Sequence, residues 1–214
     1  DLDPYFIGLW LGDGESPEIA TTDREILSYL KETFTESPEI NKVRGICLLL
    51  KKYNLLNNKH IPHIYKINTR KNRLKVLAGL IDKDGNYQKG VYKINTRKNN
   101  TLAHDIKFLC GSLGFQCDIK KDNRITISGG DICEIPVLLL RKRATAVPNK
   151  NQLYTKISIE NLNYDNYYGF KLNGNHRYLL GDFTVTHNTL SMATLIFRDK
   201  MTWDTNTMYN FSNT

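Results

Sequence analysis

Val76-Leu-Ala-Gly-Leu-Ile-Asp-Lys-Asp-Gly85 is the stretch that decides the fold. It reads as a helix with an apolar face, and it sets a carboxylate, Asp84, just past that face and directly before a helix-stopping glycine. Seventy-one positions upstream, Tyr5-Phe-Ile-Gly-Leu-Trp-Leu-Gly-Asp-Gly14 repeats the pattern, with Asp13 in the place of Asp84. Glycine inside a helix normally weakens it, so Gly8, Gly12 and Gly79 point to a place where two backbones approach closely. Such a contact would bring the two aspartates side by side. Paired carboxylates repel each other unless a cation lies between them, and hard oxygen ligands suit magnesium or manganese. A metal-bridged acid pair is suited to phosphodiester cleavage.

The two segments resemble the signature of the LAGLIDADG homing endonucleases. Leu77 to Gly85 matches eight of nine letters, with Lys83 departing. The first copy keeps Gly8, Leu9, Asp13 and Gly14 and departs at Phe6, Ile7, Trp10, Leu11 and Gly12. The resemblance implies a monomeric α+β endonuclease with pseudo-twofold symmetry, two helix-strand-strand-helix repeats whose strands form a saddle over double-stranded DNA. It also implies Asp13 and Asp84 as catalytic metal ligands for Mg2+ or Mn2+, assisted by a strand lysine, for which Lys121 is the candidate.

Composition is in keeping with a polyanion partner. The 214 residues carry a net charge of +8 and a pI near 9.2. Basic residues gather around the second motif: Arg70, Lys71 and Arg73 precede it, Lys93, Arg97 and Lys98 follow it, and Arg141-Lys-Arg143 comes later. Tyr65, Tyr87 and Tyr92 interleave with them, and the first six of these basic residues are the candidate DNA contacts. Cys47, Cys110, Cys117 and Cys133 form no zinc-type spacing and read as reduced thiols of an intracellular protein, cytoplasmic or nuclear and not secreted. No apolar run reaches membrane-spanning length.

Periodicity predicts a strand over Pro17–Thr22, a helix over Asp23–Thr35, a strand over Val43–Leu50 and helical structure over Lys51–Asn58. After the second motif come a strand over Tyr87–Asn95, a helix over Asn100–Leu113 and a hairpin over Gln116–Ser128 turning near Asp122-Asn123. The expected domains are residues 1–75 and 76–148 as the two endonuclease halves, 149–188, and 189–214. The octapeptide Tyr-Lys-Ile-Asn-Thr-Arg-Lys-Asn occurs at 65–72 and again at 92–99, each copy leading into a predicted helix with Thr69 or Thr96 as N-cap.

From Asn149 the pattern changes to short strands, over Leu153–Ile159, Tyr167–Leu172, His176–Leu180 and Phe183–Thr186, ending in Val185-Thr-His-Asn-Thr189. The Asn188 side chain can attack its own carbonyl carbon, His187 can protonate the leaving group, and Thr189 offers a hydroxyl. Asp165 to Leu172, Asn175 to Leu180 and Val185 to Asn188 resemble the C-terminal splicing blocks of inteins, the Hint fold, with His176 matching the penultimate-block histidine. Gly169 stands where many inteins have aspartate. The N-terminal nucleophile and Thr-x-x-His block are missing before Tyr5, so the resemblance implies a longer protein or a separate N-terminal half as partner. Residues 189–214 would then open the downstream host segment. Thr189 and its apolar run fit the position after the Gly-Lys of a phosphate-binding loop, which makes a P-loop NTPase the expected host. The resulting expectation is a DNA endonuclease joined to a self-processing segment, with a decayed endonuclease that only binds DNA as the alternative.

Overall fold

Two helices crossing at their glycines form the centre of the computed structural model. The model describes residues 2–13, 19, 21–34, 46–96, 99–129, 131–145, 172–181, 183 and 185–187. They fall into two units, Asp1–Gln152 and Leu153–Thr214. In the first unit, α1 (Pro4–Asp13) packs along α5 (Arg70–Asp84). A methyl group on Gly8 would collide with the Val76 carbonyl oxygen and stand 2.9 Å from the Leu80 nitrogen. One on Gly79 would collide with the Tyr5 carbonyl oxygen and stand 2.6 Å from the Leu9 nitrogen. Backbone lies on backbone here, as the glycines of the two motifs suggested. α1 is apolar around most of its circumference and α5 is apolar over residues 76–81, and Phe6, Ile7, Leu9, Val76, Leu77, Leu80 and Ile81 are all buried.

Against α5 lies an antiparallel sheet in the order β1-β2-β4-β3, made of β1 (Gly85–Gln88), β2 (Val91–Asn95), β3 (Gln116–Ile119) and β4 (Arg124–Ser128). The chain is therefore mixed helix and strand with a small antiparallel sheet. Tyr92, Ile94, Ile125, Ile127 and Cys117 form the buried face, packed with Leu102, Ala103, Ile106 and Leu109 of α6 (Asn100–Leu113). Each such fully buried aliphatic side chain contributes about 1.5–3 kcal/mol. The α6 helix ends on Gly114, left-handed at φ 84°, whose N–H caps the Cys110 and Gly111 carbonyls. Shorter helices α2 (Arg24–Thr33), α3 (Ile46–Lys52) and α4 (His63–Lys66) complete the unit, α2 burying Ile26 and Leu30 one turn apart. Among the described residues no helix is long and apolar enough to cross a membrane.

Several local expectations need correction. The strand predicted over Val43–Leu50 is helical from Ile46 on. An unbroken apolar run such as Ile46-Cys-Leu-Leu-Leu50 carries neither period, so periodicity cannot choose. Helicity ends at Lys52, not Asn58; Asn54 and Asn57 then take positive φ values of 53° and 60° in the following turns. The strand predicted over Tyr87–Asn95 is a hairpin. Lys89 and Gly90, at φ 52° and 82°, make its two-residue turn, and only the glycine signalled it. Ile19, Thr21 and Thr22 join no strand, and the rest of 17–22 lies outside the described residues apart from those positions. The second motif helix begins at Arg70, so α5 runs through the expected boundary at residues 75 and 76.

The duplicated octapeptide takes two different structures. At 65–72 it closes α4, turns and opens α5; at 92–99 it forms most of β2 and a loop. Thr69 caps α5 by accepting from the Asn72 N–H at 3.3 Å. Thr96 does not cap α6. Asn99 does, accepting from Leu102 N–H at 2.9 Å, while the Thr96 hydroxyl donates to the Asn123 carbonyl at 2.9 Å. Identical local sequence is thus overruled by what each copy packs against.

In the second unit, β5 (Arg177–Leu179) pairs antiparallel with β6 (Val185–His187). β5 falls within the stretch 176–180 read as a strand, and β6 overlaps 183–186 but starts two residues later and runs one residue beyond it, to His187. The strands expected over 153–159 and 167–172 lie outside the described residues, save Leu172.

Gly79→Ala should destabilise the fold by about 3 kcal/mol in a denaturant titration, against the propensity gain alanine normally brings to a helix. Gly114→Ala, strained in conformation but open around its Cα, should cost only about 1 kcal/mol.

Candidate catalytic site

The helix crossing sets the two motif ends together. A methyl on Gly12 would lie 2.7 Å from Lys83 Cβ and 3.6 Å from the Asp84 nitrogen, so α1 reaches its end at Asp13 beside the end of α5. Asp84 is partly exposed and lines a shallow pocket with Gly12, Lys59, Asn95 and Thr96. The C-terminal carbonyls of both helices make this corner negative in addition to any carboxylate charge.

Two straps deliver lysines to the same corner. Residues 59–61 are pinned by α6, where Asn99 Nδ2 donates to the Lys59 carbonyl at 3.2 Å and the Ile61 N–H donates to Asp105 Oδ2 at 2.8 Å. Asp105 is held in turn by Lys66 at 2.6 Å. The second strap, 131–145, carries Lys142, whose ammonium donates to the carbonyls of Ile81 at 3.0 Å and Asp82 at 2.7 Å. Burial lowers the Lys142 pKa and Arg141 adds to that, while Asp82, Asp23 and Asp84 pull the other way. Neither Lys59 nor Lys142 was singled out from sequence. Lys142 was visible only as the middle of a basic run, and the fold is what turns it inward.

Asp82 is almost fully buried, 2% exposed, and receives the Tyr5 hydroxyl at 2.9 Å and the N–H groups of Leu138 at 2.6 Å and Leu139 at 3.2 Å. Burial raises its pKa, opposed by those hydrogen bonds and by Lys142. Burial, then Asp82 itself, raises the Tyr5 pKa.

The remaining expected site residues are distributed as follows. Lys121 is exposed in the turn between β3 and β4 and does not line the Asp84 pocket. Arg70 donates to the Leu113 carbonyl at 2.9 Å and pairs with Glu134 at 2.8 Å; Arg73 donates to the Ser112 carbonyl at 2.8 Å. Both arginines therefore cap the C-terminus of α6. Lys71 is exposed. Lys93 stands on the exposed face of the sheet, its ammonium on Gln88 Oε1 at 3.0 Å. Arg97 and Lys98 lie outside the described residues. On that same face the register aligns Asn86, Lys93, Thr126 and Asp118 in a row across four strands, with Asn95 beside Arg124. These rows follow from the strand register.

In the second unit, Arg177 pairs with His187, which puts exposed His176, at φ 54°, next to the end of the ladder where β6 leads on to residue 188. Asn188 and Thr189 themselves lie outside the described residues.

Among the described residues no group of three His, Cys, Asp or Glu side chains is placed to hold a metal ion. The hard oxygen donors at the α5 end suit a magnesium-type ion, which needs one or two protein carboxylates and completes its shell with water and substrate phosphates.

No family model matches the chain. The chain is similar to the replicative DNA helicase DnaB of Mycobacterium intracellulare, at 34% identity over 116 residues, which is 53% of this chain and 19% of that protein. The chain thus spans about a fifth of the length of the curated relative it matches. The family reading does not stand. The relative is by name a helicase, which overturns the assignment to the LAGLIDADG endonucleases and to inteins made from the paired motifs and the C-terminal blocks. There is a physical reason that nine letters mislead: a small residue inside an apolar helix is demanded by any close helix crossing, whatever chemistry lies at its end.

Asn99→Ala should lower stability by about 1 kcal/mol through loss of the α6 cap, and calorimetry would register it. Thr96→Ala should leave the α6 N-terminus capped.

Proposed function

We propose that the first unit is a divalent-metal-dependent nuclease that makes site-specific double-strand breaks in DNA. The observation that carries this reading is that Asp84 and Lys59 share one pocket where the motif helices end, with Lys142 held on the last carbonyls of α5. The similarity to a protein named as a DNA helicase supports DNA as the substrate.

Asp13 and Asp84 would hold Mg2+ or Mn2+. When bound, such an ion lowers the pKa of a coordinated water and neutralises charge on the phosphoryl group. The ammonium groups of Lys59 and Lys142 stabilise the negative charge that grows on the phosphate oxygens as the phosphorus–oxygen bond breaks. Lys142 is suited to this because its hydrogen bonds to helix carbonyls aim it without neutralising it. Asn86, Lys93, Asn95, Arg124 and Thr126 form a flat face of donors and acceptors that fits a groove of the duplex. In the finer form of this reading, residues 1–75 build a second half around α1, related to the first by a pseudo-twofold axis, and the strands of both halves form a saddle. One chain then acts as a monomer inside the cell, in cytoplasm or nucleus.

The direct test is a randomised duplex library incubated with magnesium and selected for cut ends. A defined cut should appear, vanish with chelator, and be lost in Asp84→Asn with DNA affinity kept. Lys142→Met should slow it by about 100-fold or more. Specific binding without any cut by the unmodified protein would make this unit a DNA-binding module instead.

A second activity is favoured by the β5–β6 register, which brings His176 and His187 to one end of the hairpin. We propose cleavage of the Asn188–Thr189 bond there. The Asn188 side-chain nitrogen attacks its own carbonyl carbon, the peptide bond breaks, and the Thr189 amine leaves with a proton supplied by His187, assisted by His176. Full splicing would require an N-terminal half as partner and a host flank, proposed to be a P-loop NTPase. Mass spectrometry of the purified chain should find the 189–214 fragment released, and Asn188→Ala should abolish its release.

A further inference from the structure

The strap 131–145 crosses the end of α5 and is anchored along its length. The Ala144 N–H donates to the Tyr92 hydroxyl at 2.9 Å, and the Tyr87 hydroxyl donates to the Thr145 carbonyl at 3.2 Å. Its middle is held by Asp82 of α5, through the peptide nitrogens of Leu138 and Leu139. Leu139 opens the short turn Leu140–Lys142, and its carbonyl accepts the Lys142 N–H at 2.8 Å. A path therefore runs from the Asp82 carboxylate, through two hydrogen bonds and the single residue Leu139 between them, to the backbone of Lys142. Outside this path the turn has the Arg141–Asp23 ion pair at 2.8 Å, which is largely exposed and correspondingly weak.

Stability alone does not explain an acid at this place. All the hydrogen bonds to its carboxylate come from outside its own helix, and a buried charge of this kind gains little over an apolar residue of the same volume. What a carboxylate supplies and a leucine cannot is two directed acceptors for a passing backbone.

We propose that Asp82 is a positioning residue that seats Lys142 on the C-terminal carbonyls of α5 by clamping the strap at Leu138 and Leu139. The seating itself is independent of the nuclease reading; only its effect on cutting rests on that reading.

The experiment is competitive amine labelling of the folded full-length chain, read lysine by lysine by mass spectrometry, alongside single-turnover DNA cleavage. Asp82→Ala, and equally Leu139→Pro, which removes the clamped N–H at a φ of −69° while keeping the Asp82 charge, should make Lys142 react faster, while Lys66 and Lys75, paired with Asp105 and Asp3, keep their rates. Faster labelling in the Asp82 variants with none in Leu139→Pro would show loss of charge and overturn the clamp. Asp82→Asn keeps the shape but presents one acceptor in place of two. It should release Lys142 to a lesser degree, and it serves should the alanine variant not fold. Leu109→Ala, a cavity in the buried face of α6, is the control for general loosening and should leave Lys142 protected. In cleavage, Asp82→Ala should lower kcat by about 100-fold with KM unchanged, the size expected when a catalytic group is misplaced by about 1 Å. Lys142 staying protected in both Asp82 variants, or becoming equally reactive in Leu109→Ala, would overturn the positioning role. An unmodified protein that cuts no DNA would overturn the nuclease reading instead, and the labelling would still decide the role of Asp82.

Discussion

Close contact between the backbones of α1 and α5 is the constraint on which the first unit depends. Gly8 and Gly79 allow each helix to lie against the carbonyls of the other, where even a methyl group has no room. The helices gain dispersion contact where they cross and bury the apolar length of α1 together with residues 76–81 of α5. The geometry also fixes where they end. The ends of α1 and α5 are neighbours because Gly12 lies against Lys83 and the Asp84 nitrogen, and everything proposed for the corner follows from that.

The corner is an electrostatic problem solved by backbone as much as by side chains. Two helix C-termini and a buried carboxylate make it negative, and the cations that answer this arrive on irregular segments, not on the helices themselves. Lys142 answers the carbonyls of α5, and Lys59 stands in the pocket with Asp84. Arg70 and Arg73 do the same service at the far end of α6, which is why two residues that read as DNA contacts are engaged within the fold. Basic residues near a motif thus divide between those that complete helix ends and those, such as Lys93, that stand on an open face.

How much of this was legible in the sequence depended on the range of the signal. The motif helices, their glycine contact, α6 and the β3–β4 hairpin were readable because each carries its own periodicity or breaker. The Lys89-Gly90 turn was hidden inside a run of strand-forming residues, and Ile46 to Leu50 gave no period at all. Lys59 and Lys142 were out of reach of sequence, since what makes them site residues is contact with segments 40 and 60 positions away. The family reading failed for a related reason: a short motif reports a packing requirement and a chemistry together, and the sequence does not separate them.

The repeated octapeptide has a consequence for how the chain reaches this state. Before folding, residues 65–72 and 92–99 are chemically indistinguishable, so β4 meets two equal candidates for its neighbouring strand. Only the copy at 92–99 runs on directly into α6, with its own Asn99 as cap, and only the other is carried into α5. Early pairing with the wrong copy would bury a ladder that must dissolve before the glycine helices can meet. Forming α5 before the sheet closes would keep one copy occupied and leave β4 a single partner.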